Sequence, residues 1–148
     1  MHITLREATE HDLPALLLLY AQLGQDDGRV LPLEDARRIF ARFRDYPSYR
    51  LHVAEMDGKP VGTFALLVMD NLGHMGTPSA ILEDVVVDES LRGMGIGKKM
   101  MEYANLLCRQ QGCYKMTFSS NMNREAAHLF YESLGFRRHG YSFYIDYE

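Results

Sequence analysis

The stretch Arg92-Gly93-Met94-Gly95-Ile96-Gly97-Lys98 constrains this chain more than any other. It follows a dense apolar run, Ile81-Leu82-Glu83-Asp84-Val85-Val86-Val87, and precedes a helical pattern from Lys98 to Gln111. A strand feeding a glycine-rich turn that opens a helix makes an anion site. Glycines let the backbone approach closely and turn successive N–H groups inward, while the helix N-terminus adds positive potential. The expected ligand is a pyrophosphate. Two common owners fail on spacing. A nucleotide P-loop needs Gly, four residues, then Gly-Lys-Ser/Thr, but Arg92 stands where the first glycine should be and Lys99 replaces the hydroxyl. In a dinucleotide fingerprint counted from Gly93 the last glycine comes one residue early, at Gly97, and Lys98 holds its place. What fits is Arg-x-x-Gly-x-Gly, read as Arg92, Gly95 and Gly97. A glycine-rich turn with no ligand competes, but three alternating glycines between strand and helix weigh against it.

At 148 residues the chain is expected to be a single domain, residues 1–148, with room for one core. A net charge of −4 without a basic stripe argues against nucleic acid as a partner. The start, Met1 to Arg6, does not read as a signal peptide, and the apolar run Ala15 to Tyr20 is too short to span a bilayer. A cytoplasmic protein is expected, with no membrane partner. Cys108 on a helix face and Cys113 at a strand start read as buried free thiols rather than a bridge.

Along the chain, His2 to Glu7 reads as a strand. Thr9 offers an N-cap with Asp12 three residues on, before Leu13, Leu16, Leu17, Tyr20 and Leu23 at helical spacing. After the polar loop Gln25 to Arg29, a second helix from about Leu33 carries Ala36, Ile39, Phe40 and Phe43 on one face and stops before Pro47. Strands Tyr49 to Met56 and Val61 to Met69 flank Asp57-Gly58, a hairpin turn signal. Asn71 to Pro78 is a loop, and Ser79 to Val87 is a central strand apolar enough to be buried on both faces. The next helix buries Met100, Met101, Ala104, Leu107 and Cys108, and Gly112 closes it. Cys113 to Ser119 is a strand, Asn123 to Leu134 a helix ending at Gly135, and the alternating Tyr141, Phe143, Ile145 and Tyr147 a last half-buried strand. The order β-α-α-β-β-β-α-β-α-β specifies an α/β (α+β) mixed sheet, antiparallel early and parallel around the glycine loop.

A second motif, Asn123-Arg124-Glu125-Ala126-Ala127-His128-Leu129-Phe130-Tyr131-Glu132-Ser133-Leu134-Gly135-Phe136, lies downstream. Together with Arg92-x-x-Gly95-x-Gly97, and with the element order over nearly the whole chain, it resembles the GNAT superfamily of acetyl-CoA-dependent N-acetyltransferases. The resemblance implies a sheet whose strands Ser79–Val87 and Cys113–Ser119 splay apart, with the coenzyme's pantetheine arm in the wedge. It further implies that the backbone of Val85, Val86 and Val87 pairs with that arm. Arg92, Gly93, Met94, Gly95, Ile96, Gly97 and Lys98 would hold the pyrophosphate, and Asn123 would hydrogen-bond the arm.

The implied reaction is acetyl transfer from acetyl-CoA to a primary amine. An alkylammonium with pKa near ~10 must lose a proton before it attacks, and the departing thiolate needs one. By resemblance Tyr131 is the candidate acid; a helix tyrosine packed beside Phe130 is the competing reading. Glu83 is the candidate base, directly or through water, and Val85 N–H the candidate to polarise the carbonyl. Asp84 is the weaker candidate, because adjacent strand residues face opposite ways. Either acid could instead pair with an arginine or a backbone N–H. His74, His128 and His139 show no metal-ligand spacing, and no metal is expected. Asp26, Asp27 and Arg29 border the acceptor pocket in relatives of this type, or form an ordinary solvated loop.

Two narrower likenesses bear on the acceptor. Ile81 to Val87 and Gly112 to Lys115 look like glucosamine-6-phosphate acetyltransferases; Asn123 to Phe136 looks like aminoalkylphosphonate and amino-acid acetyltransferases. Both suit a small-molecule amine carrying an anionic group, with Arg29, Arg137 or Arg138 for the anion. A protein or peptide amine, or a non-catalytic acyl-CoA-binding domain, are the alternatives. The aromatic last strand would leave an apolar edge, from which a homodimer through the C-terminal strands is expected.

Overall fold

The computed structural model describes residues 2–147. They form two compact units, divided between Thr117 and Phe118. The first unit holds one five-stranded sheet in the order β1-β2-β3-β4-β5, comprising β1 (Thr4–Glu7), β2 (Tyr49–Met56), β3 (Lys59–Met69), β4 (Ser79–Val87) and β5 (Met116–Thr117). Three helices accompany it: α1 (Leu13–Ala21), α2 (Leu33–Arg42) and α3 (Ile96–Gln110). The second unit contains α4 (Glu125–Ser133).

The first four strands run antiparallel, and β5 joins β4 in parallel. The Asp57-Gly58 turn takes positive φ at both residues, 52° and 76°, as the twist of a two-residue hairpin requires. On one face, Leu16, Leu17 and Ala36 pack with Leu51, Val53, Ala65 and Val86 of the sheet. Against the other lies α3, whose Met100 and Met101 are buried. Gly62 permits that approach: a Cβ there would sit 2.7 Å from Met100 Sδ and 3.3 Å from the Val86 carbonyl oxygen. The start of α1 is pinned through Asp12, which accepts from the Thr9 backbone N–H at 2.7 Å and from both arms of Arg6 at 2.7 and 2.8 Å. Arg6 also reaches Glu55 of β2 at 2.9 Å.

Several expectations change. The strand Ser79–Val87, expected to be buried on both faces, leaves Glu83 and Asp84 exposed, since carboxylates keep their water. Helix α3 begins at Ile96 rather than Lys98, and α4 runs Glu125–Ser133 rather than from Asn123 to Leu134. The first strand begins at Thr4 and the third at Lys59. The strand expected over Cys113–Ser119 pairs only at Met116 and Thr117. Residues 141–147 form no strand: Tyr141, Phe143, Ile145 and Tyr147 are 76–92% exposed. Alternation supplies a face but no partner, and an isolated extended segment has no ladder to hold it.

Candidate active site

The glycine loop is built as a donor row. Ile96, 1% exposed, anchors the first turn of α3 against the sheet, leaving Arg92 to Gly95 exposed ahead of it. Gly93 and Gly95 hold φ of 83° and 84°, a region L side chains rarely enter. A Cβ at either would meet open space, so glycine is required by backbone conformation rather than by crowding. The first intrahelical bond runs from Lys99 N–H to the Gly95 carbonyl. Among the described residues, the N–H groups from Gly93 to Lys98 donate to no protein acceptor, so the orphan donors of α3 are free for an anion. Arg92 folds back, its Nε 3.4 Å from the Val87 carbonyl oxygen, which ties the loop to the end of β4.

Beside this loop β4 has an open edge. Its pairing with β5 covers only Ala80 and Ile81, so among the described residues nothing pairs with β4 from Leu82 to Val87 on that side. On the other side the ladder with β3 skips. Thr63 faces Val86 and Ala65 faces Glu83, so β4 carries one residue more than β3 across this step. The extra residue falls at Asp84 and Val85, which have no partner in β3, and Asp84 takes φ of 51°. This is a β-bulge, placed at an aspartate, a residue type that tolerates the left-handed region.

The bulge corrects the reading that adjacent acids must face opposite ways. Glu83 lies opposite Ala65, which packs in the core beneath α1 and α2. Asp84 lines a cavity of about 330 Å³ on the same side, under α1 and α2. The two carboxyls therefore share one face of the sheet. Removal of water raises the Glu83 carboxyl, and the charge of Asp84 adds to the rise. Asp84 is raised by lost hydration first and then by Asp26. Tyr20 and Tyr49 line the cavity too; burial raises both phenols, with the charge of Asp84 second. Asp26 and Arg29 stand at the cavity as well, with Arg29 Nε donating to the Asp26 carbonyl at 3.0 Å.

In the second unit, Tyr131 sits 4.3 Å from the Phe118 ring, 5.4 Å from Phe130 and 6.0 Å from Phe136, centroid to centroid. Burial raises its phenol above the usual range, and Arg124 pulls it partly back. Gly135, at φ 97°, lets Phe136 N–H reach back to the Tyr131 carbonyl at 3.2 Å. That is a Schellman close, and the Tyr131–Phe136 contact is its apolar companion. Much of the Phe-Tyr…Leu-Gly-Phe pattern is thus the grammar of a helix end. Asn123 precedes α4 by two residues, its N–H held by Asn121 Oδ1 at 2.9 Å. Arg138 pairs with Glu132 at 3.2 Å. His74 stacks on Tyr114 at 4.2 Å and His128 meets the Asn121 carbonyl at 2.8 Å. Among the described residues no group of three His, Cys, Asp or Glu side chains is gathered for a metal. No helix there is long and apolar enough to cross a membrane. Tyr20 and Tyr49 line the site although sequence reasoning did not assign them to it: Tyr20 reads only as part of a helix face and Tyr49 only as the first residue of a strand.

The model of the Acetyltransferase (GNAT) family matches residues 16–136. A glucosamine 6-phosphate N-acetyltransferase of Trypanosoma brucei brucei is 37% identical over 89 residues, 60% of this chain and 58% of that protein. An aminoalkylphosphonate N-acetyltransferase of Salmonella typhimurium is 28% identical over 139 residues, 94% of this chain and 88% of that protein. Among solved structures, a protein of Agrobacterium tumefaciens superimposes with a TM-score of 0.91 at 36% identity, covering 97% of this chain and 99% of its own.

Proposed function

The chain belongs to the acetyltransferase (GNAT) family and is an N-acetyltransferase; from that premise we propose that it passes the acetyl group of acetyl-CoA directly to a primary amine of a small molecule. The observation that carries this reading is the row of free N–H groups from Gly93 to Lys98 beside the open edge of β4. The row suits a pyrophosphate, and the edge at Val85, Val86 and Val87 suits an extended arm bearing amides. Asn123 is assigned to the same arm.

The ammonium first gives a proton to Glu83, directly or through water. The freed nitrogen attacks the thioester carbonyl, whose oxygen takes a hydrogen bond from Val85 N–H. The carbon–sulfur bond breaks, the thiolate takes the phenolic proton of Tyr131, and the second nitrogen proton restores the phenol through solvent. A raised carboxyl pKa brings Glu83 nearer to the working range of a base. A phenol held protonated by burial suits the acid.

Mixing the protein with acetyl-CoA, a panel of amines and a thiol reagent tests this. Thiol release that requires both substrates is expected, and Glu83→Gln should lower turnover and flatten its rise with pH. Tight coenzyme binding without thiol release would instead identify a binding module. The relatives named for a sugar phosphate and an aminophosphonate support a small-molecule amine as the acceptor. Exposed aromatics at 141–147 support a homodimer through that segment; a monomer in sedimentation at micromolar concentration would refute it.

A further inference from the structure

Resting on the acetyl-transfer reading, we propose that the acceptor is an amine with an apolar arm, whose ammonium meets Asp84 while α1 and α2 enclose the arm. The cavity's chemistry supports this against the sugar phosphate of the relatives. The apolar lining side chains that keep exposed surface are Leu31, Ile39, Phe40 and Phe43, which offer a hydroxylated sugar no hydrogen bonds; Leu16, Leu17 and Leu51 are buried, and Tyr20, Tyr49 and Gln25 are the uncharged polar residues of the lining. Sugar hydroxyls pressed against such walls would lose water without replacement. The charged side chains at the cavity are two carboxylates, Asp84 and Asp26, and one cation, Arg29. That balance attracts a cation and resists a phosphate dianion. Arg29 is further committed through Nε to its own loop.

Tyr20 and Tyr49 line the same space, each presenting an apolar ring and a polar tip. The bulge is what directs the Asp84 carboxyl into this space; a regular ladder would turn the residue after Glu83 to the α3 side of the sheet. A volume of about 330 Å³ holds one ring or a short chain rather than a polymer.

The test measures kcat/KM at saturating acetyl-CoA for n-alkylamines from ethylamine to hexylamine and for 2-phenylethylamine, beside glucosamine 6-phosphate and 2-aminoethylphosphonate. Each added methylene should raise kcat/KM roughly 3–4-fold until the cavity fills. The apolar amines should exceed the two anionic ones at least ~10-fold. Asp84→Asn keeps a residue that accepts positive φ, and should raise the amine KM ~10-fold or more with coenzyme affinity unchanged. Leu31→Asp, at a wall position 43% exposed, should weaken hexylamine but not ethylamine. Thermal melts confirm that both variants fold. A flat chain-length series, preference for the phosphate or phosphonate, or an unchanged KM in Asp84→Asn overturns the proposal. Transfer that ignores the arm refutes this inference alone; no transfer to any amine while acetyl-CoA binds refutes the acetyl-transfer reading beneath it and this inference with it.

Discussion

Replacing Asp12 by alanine removes a cap and an ion pair together. The carboxylate, in a residue 6% exposed, receives both arms of Arg6 and the Thr9 N–H. Leaving the Thr9 N–H without its acceptor costs about 1 kcal/mol. Removing one partner of a buried pair costs about 3–5 kcal/mol. The second figure must be reduced here, because the Arg6 side chain is 32% exposed and keeps Glu55, so water and a second carboxylate absorb part of the loss. The expected total is about 2–4 kcal/mol, a fall of roughly 6–12 °C in Tm for a chain of this size. The loss should also depend on pH. Hydrogen bonds from Arg6 hold the Asp12 carboxyl below its usual range against the opposing effect of burial, with Thr9 assisting. The unfolded chain therefore takes up this proton first as pH falls. Its stabilisation is complete above about pH 4 and disappears as pH drops through the folded-state value. Urea titrations of wild type and Asp12→Ala, followed by circular dichroism at pH 7, 5 and 3, measure the gap directly. A gap under ~1 kcal/mol at pH 7, or one that stays constant on acidification, would refute this account of how α1 is anchored.

Other perturbations separate structure from chemistry. Tyr131→Phe keeps the aromatic cluster and should lower kcat about 100-fold or more with unchanged acetyl-CoA affinity; an undiminished kcat leaves Tyr131 only its packing. Gly95→Ala meets no clash but must hold φ of 84°, so it should cost about 1 kcal/mol of stability and weaken acetyl-CoA about 10-fold in calorimetry. Equal affinity would dissociate the loop from the coenzyme. His52, 7% exposed with Nδ1 unpartnered, is pushed down to about 4, chiefly by burial with Arg50 second. The unfolded chain then gains its proton near pH 6.5 and the folded chain only near 4, so wild type should lose roughly 3 kcal/mol across that window. His52→Leu should abolish that part of the acid sensitivity, and an unchanged slope would show that another group causes it.

The backbone of the glycine loop, the hairpin turn and the helix ends at Gly112 and Gly135 were legible because each depends on a few residues with local requirements. Gly95 must take positive φ, Asp57-Gly58 must close a tight turn, and Asp12 must reach back to the Thr9 N–H that precedes the first helical turn. The relation between Glu83 and Asp84 was not legible. Their placement depends on how β4 is matched against β3, a pairing between segments separated in sequence, and no local pattern marks the skipped partner. The same limit explains the last segment: Tyr141 to Tyr147 alternates as a strand would, but alternation does not say what it pairs with. The cavity was half-legible. Its walls were recognised as helix faces, while the tyrosines became visible as lining only when α1 and β2 were set side by side.

The spare residue in β4 acts as a phase shift in an otherwise regular ladder. Sheet pairing is in step from Ser79 to Glu83 and again from Val86 to Val87, so deleting Asp84 would bring both halves into one frame. Such a deletion relieves the strained φ and closes the gap in the ladder, while withdrawing a carboxylate from the cavity and giving Val85 a neighbour. A sturdier protein that no longer turns over its amine is the outcome to look for, and it would show that this irregularity is kept for chemistry at some expense to the fold.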